Sequence, residues 1–473
     1  MTDRSHLNAD LERLLAAQRE AFNREPMPEA AARIRLLKAL RGSLIRHQDA
    51  LIEAISHDFG RRSPHETRFA EILPTVQGID YAVKRIRRWM KPSRRRVGIA
   101  FQPGRARVVY QPLGVVGIIV PWNYPLYLAM SPLIAALAAG NRAMLKMSEF
   151  TPATAEVVAR LLGEVFEEDR VAVVTGEADI GRAFSQLPFD HLLFTGSTAV
   201  GKHVMRAAAD NLTPVTLELG GKSPAIVSRD VPIEHAAERI AFGKGLNAGQ
   251  TCVAPDYVLC PRERVDELEA ALRQAFTRLY PSLVDNPDYT RIVNERQYRR
   301  LVDVLDDARA KGARVIAINP ADENFEGSRV IPPTLLLDVT DDMRAMQEEI
   351  FGPLLPIVPV DDIEEAMAYV ARRPRPLALY YFGYNRAEQR RLMSHTHAGG
   401  MCVNDSVLHV AQEDMPFGGI GASGMGHYHG HEGFLTFSKA KGVFIKQRLN
   451  TAKLIYPPYG GKLQMLIYRW FVR

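Results

Sequence analysis

The chain has 473 residues, too many for one ordinary domain, and with 47% hydrophobic and 24% charged residues it is globular in composition, which excludes a disordered or low-complexity chain. Three cysteines (Cys252, Cys260 and Cys402) are too few for a disulfide framework and lack the paired spacing of a zinc site, so a reducing compartment is the natural setting. A net charge of +6 is modest, the N-terminus has no signal-like apolar core, and no run nears the ~18–20 apolar residues that span a bilayer, so the sequence predicts a soluble, cytoplasmic protein.

Apolar residues at helical spacing (Ile34, Leu37, Leu40, Leu44, Leu51, Ile52, Ile55) predict a helical stretch over 29–57, entered after two prolines and stopped at Gly60. A second helix is predicted from about Glu66 to Met90, ended by Pro92. Eight basic residues and no acid lie between Lys84 and Arg96. Such a run suits an anionic partner, but no aromatic interleaving or nucleic-acid motif accompanies it, and it reads as a solvated helix end with no nucleic-acid role. Strands over 97–100 and 105–110, around the turn Gln102-Pro103-Gly104, form a hairpin placed to reach a neighbouring subunit.

From 113 to 230 short apolar runs (115–120, 143–146, 171–175, 191–195, 216–220) alternate with helical segments such as 126–139 and 152–166. Strand-helix-strand alternation implies a parallel sheet covered on both faces, with ligands beyond the carboxyl ends of its strands. The alternation resumes over 230–400, with helices at 233–244, 264–280, 295–311 and 362–373 and strands near 257–261, 313–317 and 355–359, as in a second α/β domain.

Several short motifs follow the predicted strands. Gly249-Gln250-Thr251-Cys252 offers a thiol with backbone amides beside it, a nucleophile able to attack a carbonyl. Glu218, followed by Leu219-Gly220-Gly221-Lys222, is placed at a strand end as a general base for water. Asn123, within Pro121-Trp122-Asn123-Tyr124-Pro125, can donate its side-chain amide to an oxyanion. Gly196 and Ser197, in Phe194-Thr195-Gly196-Ser197, let a phosphate approach a helix N-terminus, although the turn is not the G-x-G-x-x-G fingerprint. Lys146 and Glu149 suit a ribose diol or a phosphate, and Glu349 and Phe351 the other end of a dinucleotide. Taken one by one, each motif has a plain structural explanation; a lone cysteine is more often a small core residue than a nucleophile. The histidines 427, 429 and 431 lack acids or thiols to complete a metal site, and none is expected.

In order and separation, PWNYP, KMSE, FTGS, ELGGK, GQTC, EEIFGP and PFGG together resemble the aldehyde dehydrogenase superfamily over about residues 10–447. The short N-terminal region and the blocks 249–260 and 416–439 are similar to its class 3 branch, and within that to bacterial coniferyl aldehyde dehydrogenases. Met147 stands in KMSE where the family often has proline, while Lys146 and Glu149 are kept.

The resemblance implies an α/β aldehyde dehydrogenase fold. A Rossmann-like cofactor domain would span 1–90 and 112–219, and an α/β catalytic domain 220–404. Residues 405–439 would return to the cofactor domain. A small β oligomerisation element would join 91–111 to 440–447, leaving 448–473 as a tail. The resemblance further implies that Cys252 attacks an aldehyde, that Asn123 and the Cys252 amide hold the oxyanion, and that hydride loss leaves a thioester, which Glu218 hydrolyses by activating water. A base at Glu218 favours a free acid over an acyl-coenzyme A product. NAD is the implied cofactor, with NADP usable, held by Trp122, Lys146, Glu149, Gly196, Ser197, Glu349 and Phe351. Alignment to the family implies a pocket of Tyr124, Leu246, Thr251, Val253 and His409, suited to a flat aryl aldehyde such as coniferyl aldehyde. The alternatives are a long-chain aliphatic or broad-specificity aldehyde dehydrogenase and a catalytically silent binding protein on the same fold. A homodimer is expected, and the tail, with Tyr456, Leu463, Leu466, Ile467, Trp470 and Phe471 among basic residues, is suited to peripheral membrane contact.

Overall fold

The apolar stripe of the N-terminal region folds as helices Arg4–Arg24, Ala30–Arg46 and Gln48–Phe59 in a computed structural model that describes residues 4–446, 448, 450, 453 and 456–472. The stretch expected as one helix over 29–57 breaks at His47, where the backbone turns out of the helix (φ −95°, ψ 6°) and the ring nitrogen Nδ1 meets the Ser43 carbonyl at 3.0 Å. Gly60 ends the next helix in the left-handed conformation (φ 72°) that glycine adopts without strain. The helix expected from Glu66 is also segmented. A short turn Pro64–Thr67 and a wide π turn Arg68–Ile72 precede Leu73–Trp89. Such a bulge re-aims the residues it contains, and here it holds Glu71, whose carboxylate is buried.

β1 (Ser93–Arg95) and β2 (Arg105–Pro112) form the expected hairpin with a different first strand. Residues 99–101 make a 3-10 turn instead, pinned by Phe101 packing edge-on against Phe444 at 6.5 Å, while Ser93–Arg95 pair with Ala106–Val108.

Short, largely apolar runs then give β3 (Val115–Ile119), β4 (Arg142–Lys146), β5 (Val171–Val174), β6 (His191–Gly196) and β7 (Val215–Leu219), all parallel in the order β5-β4-β3-β6-β7. The wholly buried helix Tyr127–Ala139 and the helices between Ala30 and Trp89 cover one face, while helix Arg4–Arg24 packs on the other through Leu11, Leu14 and Leu15. The strand order reverses beside β3, so the ends of β3 and β6 diverge into a crevice.

The second sheet comprises β8 (Pro224–Val227), β9 (Tyr257–Pro261), β10 (Arg314–Ala317), β11 (Thr334–Leu337), β12 (Leu354–Val360), β13 (Ala378–Phe382) and β14 (Gly400–Val403). Its order is β10-β11-β12-β9-β8-β13-β14, with β10 antiparallel at one edge. The chain then returns to the first sheet, where β15 (Gly424–Met425) pairs antiparallel with β7 and sets Gly424 opposite Glu218. β16 (Ser438–Ile445) pairs with β2 along its whole length and completes a three-stranded sheet with β1. The C-terminal helix Lys462–Val472 exposes Leu463, Leu466, Tyr468, Trp470 and Phe471. No helix among the described residues is long and apolar enough to cross a membrane.

Candidate active site

Helix Ile233–Gly245 runs into a loop in which Asn247 and Ala248 (φ 50° each) and Gly249 (φ 73°) are all left-handed. For residues with a Cβ this conformation costs about 1–2 kcal/mol each, and several hydrogen bonds offset it. The Asn247 amide donates to the main-chain oxygens of Asn123 (3.0 Å) and Gln250 (3.1 Å). The Gln250 amide donates to the Asn247 (3.0 Å) and Arg291 (3.1 Å) carbonyls and accepts from the Val293 N–H (3.0 Å). Gly249 packs so closely on the Gly352 carbonyl that a side chain would part the two loops. The Tyr380 hydroxyl donates to the Val253 carbonyl at 2.5 Å. Cys252 is thereby fixed between rigid neighbours.

Burial, then the nearby carboxylates of Glu349 and Glu218, push the Cys252 thiol well up, while the N–H groups of Cys252 and Val253 oppose the rise. Glu218, on β7, is 2% exposed and among the described residues has no side-chain hydrogen-bond partner; the Gly419 N–H faces it and opposes its rise. Burial raises it well above the ordinary carboxylate range. The Glu349 carboxylate fills the space that a Cβ on Gly220 would take, one oxygen unpaired, and burial, with Asp256 adding to it, raises it to about 8. A thiol nucleophile and a carboxylate base both work deprotonated, and both are shifted upward here. The rate of acid formation is therefore expected to climb from neutral into alkaline pH. A profile of kcat/KM against pH that is already flat in the ordinary carboxylate range would refute this.

Asn123 is buried at the end of β3, and among the described residues its side-chain amide makes no hydrogen bond. Its main chain is held from below by residues that the sequence analysis did not single out. The Arg62 guanidinium is fully buried and donates to Glu71 Oε1 (2.6 Å), Glu66 Oε1 (3.2 Å) and the Asn123 carbonyl (3.3 Å). The other Glu71 oxygen accepts the N–H groups of Leu126 (2.8 Å) and Tyr127 (3.0 Å). Arg62 also lies over the Tyr124 ring (4.7 Å), and the Tyr124 hydroxyl shares a 2.7 Å hydrogen bond with Thr251 Oγ1. One buried ion pair thus supports both the PWNYP and GQTC loops. A sequence signal existed: Glu71 lies in line with Thr75, Ile79, Ala82 and Ile86, an acid on a buried stripe.

The expected cofactor residues gather at the crevice. Lys146, 2% exposed at the end of β4, donates to the Met147 carbonyl (2.7 Å) and lies 3.7 Å from Glu149. Gly196 ends β6, and Ser197 caps helix Thr198–Ala209 through Val200 N–H (3.4 Å). The second glycine of the segment, Gly201, has Leu219 pressed against its bare Cα, bringing the helix close to the sheet. Trp122 meets Phe351 edge-on at 5.2 Å, closing the crevice from both sheets, and Phe351 is itself left-handed (φ 49°). These features fit a dinucleotide: an anion-favouring helix start, a lysine–carboxylate pair at a strand end and an unpaired oxygen on Glu349.

The five expected pocket residues differ in their surroundings. Tyr124 and Thr251 hydrogen-bond to each other. Leu246 and Cys252 pack with Val410 and Phe417, two residues absent from the sequence expectation, against one apolar cluster. Val253 is only 2% exposed, within the core of the second sheet. His409 stands beside the Tyr380 ring (5.8 Å), and among the described residues neither of its nitrogens has a partner; burial lowers it to about 4, so it is neutral. Two residues earlier, Val407 is left-handed (φ 53°), an uncommon strain for a β-branched residue. Of the histidines 427, 429 and 431, His429 stacks on Phe417 (5.3 Å) and His431 on Trp89 (5.8 Å), while His427 is exposed.

A probable coniferyl aldehyde dehydrogenase of Pseudomonas aeruginosa is 64% identical over 98% of this chain and 96% of its own length. A coniferyl aldehyde dehydrogenase of a Pseudomonas species is 48% identical over 90% of this chain and 88% of its own. Among solved structures, substrate-bound Staphylococcus aureus AldH superposes with a TM-score of 0.91 at 39% identity, covering 97% of this chain and 99% of that one. A Mycobacterium tuberculosis aldehyde dehydrogenase in complex with NAD+ gives 0.85 at 31% identity, covering 94% and 91%. Residues 4–443 match the aldehyde dehydrogenase family, and the chain belongs to it.

Proposed function

We propose that this aldehyde dehydrogenase oxidises coniferyl aldehyde to ferulate with NAD, through a thioester on Cys252. One observation supports this reading: the buried Glu218 carboxylate, with no side-chain partner, is near enough to the Cys252 thiol to oppose its ionisation, and Asn247 of the thiol's loop donates to the Asn123 carbonyl. The Cys252 sulfur attacks the aldehyde carbon, and the Asn123 amide with the Cys252 N–H receives the oxyanion, a contribution of about 2.7–4 kcal/mol per donor elsewhere. Bound NAD supplies the hydride acceptor. Glu218 takes a proton from water, the oxygen adds to the thioester carbonyl, and the carbon–sulfur bond breaks to free the acid. Trp122, Lys146, Glu149, Gly196, Ser197, Glu349 and Phe351 hold the dinucleotide. Glu149 favours NAD because a 2′-phosphate would meet a carboxylate.

His409 supports an aryl substrate. A buried neutral imidazole with two unpartnered nitrogens suits a phenolic hydroxyl, and the names of the Pseudomonas relatives point the same way. Tyr124, Leu246, Thr251 and Val253 complete the proposed pocket. The test is an aldehyde panel with both cofactors. Coniferyl aldehyde is expected to exceed hexanal and decanal in kcat/KM, and NAD to exceed NADP; preference for the aliphatic aldehydes would overturn the substrate assignment.

The proposed organisation is a cofactor domain (1–90, 112–219), a catalytic domain (220–404), a return segment (405–439) and an oligomerisation element (91–111, 440–447) that builds a cytoplasmic homodimer. The β2–β16 pairing supports that last element. The exposed apolar side chains of the C-terminal helix support a peripheral membrane contact.

A further inference from the structure

The three-stranded sheet β1-β2-β16 carries its cations on one side. Residues directly opposite in an antiparallel ladder share a face. The register sets Arg107 between Arg94 and Val443, Arg105 opposite Ile445, Lys441 opposite Val109 and Lys439 opposite Gln111. Arg94, Arg105, Arg107, Lys439 and Lys441 therefore project from the same face, and all five are exposed. Among the described residues none of them has an ion-pair partner. Like charges directly opposite, as Arg94 is to Arg107, weaken a sheet unless a counter-charge lies over them. β16 then runs on into the tail, and from Lys439 to Arg473 there are eight lysines and arginines and no acid.

Helix Lys462–Val472 lies in this stretch. None of its residues is buried, and Trp470 is 71% exposed. Its start is tied within the tail, where the Gln464 amide donates to the Tyr456 carbonyl (2.9 Å) and accepts the Gly461 N–H (3.1 Å). Leu463, Leu466, Ile467 and Trp470 recur at i, i+3, i+4 and i+7 and make an apolar stripe, while Lys462 and Arg469, two turns apart, line up beside it. Its 11 residues rise about 16 Å, roughly half of the ~30 Å core of a bilayer, so such a helix lies along a membrane surface and does not cross it.

We propose that the basic sheet face and the C-terminal helix together bind an anionic phospholipid surface. The five cations meet the headgroup phosphates, and Leu466 and Trp470 enter the boundary with the acyl chains. The proposal rests on the peripheral membrane contact of the C-terminal helix and adds the charge of the lipid and the part played by the sheet. A nucleic acid would answer the cations but offers no apolar phase to the helix. β16 is the edge strand of its sheet, so a neighbouring subunit can add to that edge and leave the face open.

The test is co-sedimentation of the full-length enzyme with vesicles of phosphatidylcholine alone or with about a quarter phosphatidylglycerol, read beside Trp470 fluorescence. Binding is expected to be on the order of 10-fold tighter to the anionic vesicles and to weaken as salt is added. Tryptophan emission is expected to shift to the blue with those vesicles, and not in Trp470→Phe. Arg105→Gln, Arg107→Gln, Lys439→Gln and Lys441→Gln combined are expected to remove most of the difference between the two vesicles while NADH formation stays at the wild-type rate. Equal binding to both vesicles would keep the peripheral contact and overturn its anionic character. Undiminished binding in the four-fold variant would overturn the role of the sheet, and binding without a Trp470 shift would overturn that of the helix. No binding to either vesicle would overturn the proposal and the contact beneath it. Tighter binding to duplex DNA than to anionic vesicles, or a blue shift that grows with protein concentration in their absence, would assign the surface to a nucleic acid or to a second copy of the chain and overturn the proposal.

Discussion

Cys252→Ala is expected to eliminate NADH formation with every aldehyde, a loss on the order of 10⁴-fold or more, as when a covalent nucleophile is removed from other enzymes. No neighbouring group can substitute. Cys260 lies wholly buried in β9, and Cys402 lies on β14 at the edge of the second sheet. The crevice between β3 and β6 does not depend on the thiol, so quenching of tryptophan fluorescence by NAD is expected to persist. An active variant would refute the thioester; an inactive one that no longer binds NAD would mean that the loop, not the sulfur, had been lost.

Arg62→Ala is expected to have the largest effect on stability. It leaves Glu66 and Glu71 facing one another in a dry interior with no cation. Removing one partner of a buried pair costs about 3–5 kcal/mol, because the remaining charge stays desolvated. The Asn123 carbonyl and the Tyr124 ring lose their support at the same time, so kcat is expected to fall together with the denaturation midpoint. Glu71→Gln retains an acceptor for the Leu126 and Tyr127 amides and is expected to cost less. Denaturant unfolding of both variants decides the matter: a loss below about 1 kcal/mol in Arg62→Ala would rank the pair with surface ion pairs.

Why one charged pair stayed hidden while whole strands were plain is a matter of physical scale. The run Val115–Ile119 and the centres of the next strands, 143–145 and 192–194, are buried on both faces, so each is continuously apolar and legible without context. Cys252, Glu218 and Asn123 stand out in the sequence only through the company of the other motifs, since none of the three is diagnostic alone. Arg62 and Glu71 belong to a charged stretch that looks like solvated helix; only the fold shows that it faces inward. His47 interrupts a helix whose apolar periodicity barely changes across the break. The segment 97–100 has strand-like residues, but the aromatic contact of Phe101 with Phe444 from the other end of the chain decides its shape. The left-handed turn at Asn247 and Ala248 depends on partners in three distant segments. Local pattern fixes elements; long-range contact fixes breaks, bulges and buried charge.

The pairing of Glu218 with Gly424 also bears on the order in which the protein is made. The base emerges from the ribosome well before the strand that covers it, and β2 waits longer still for β16. Contacts so distant in sequence form slowly, and domains fold in order of synthesis. The nucleophile loop therefore exists for a time without the hairpin that closes over its base. Throughout that interval the nascent chain carries a thiol but no enclosed site. A chain cut before Gly424 is therefore expected to lack the strand that lies beside Glu218 and to turn over no aldehyde.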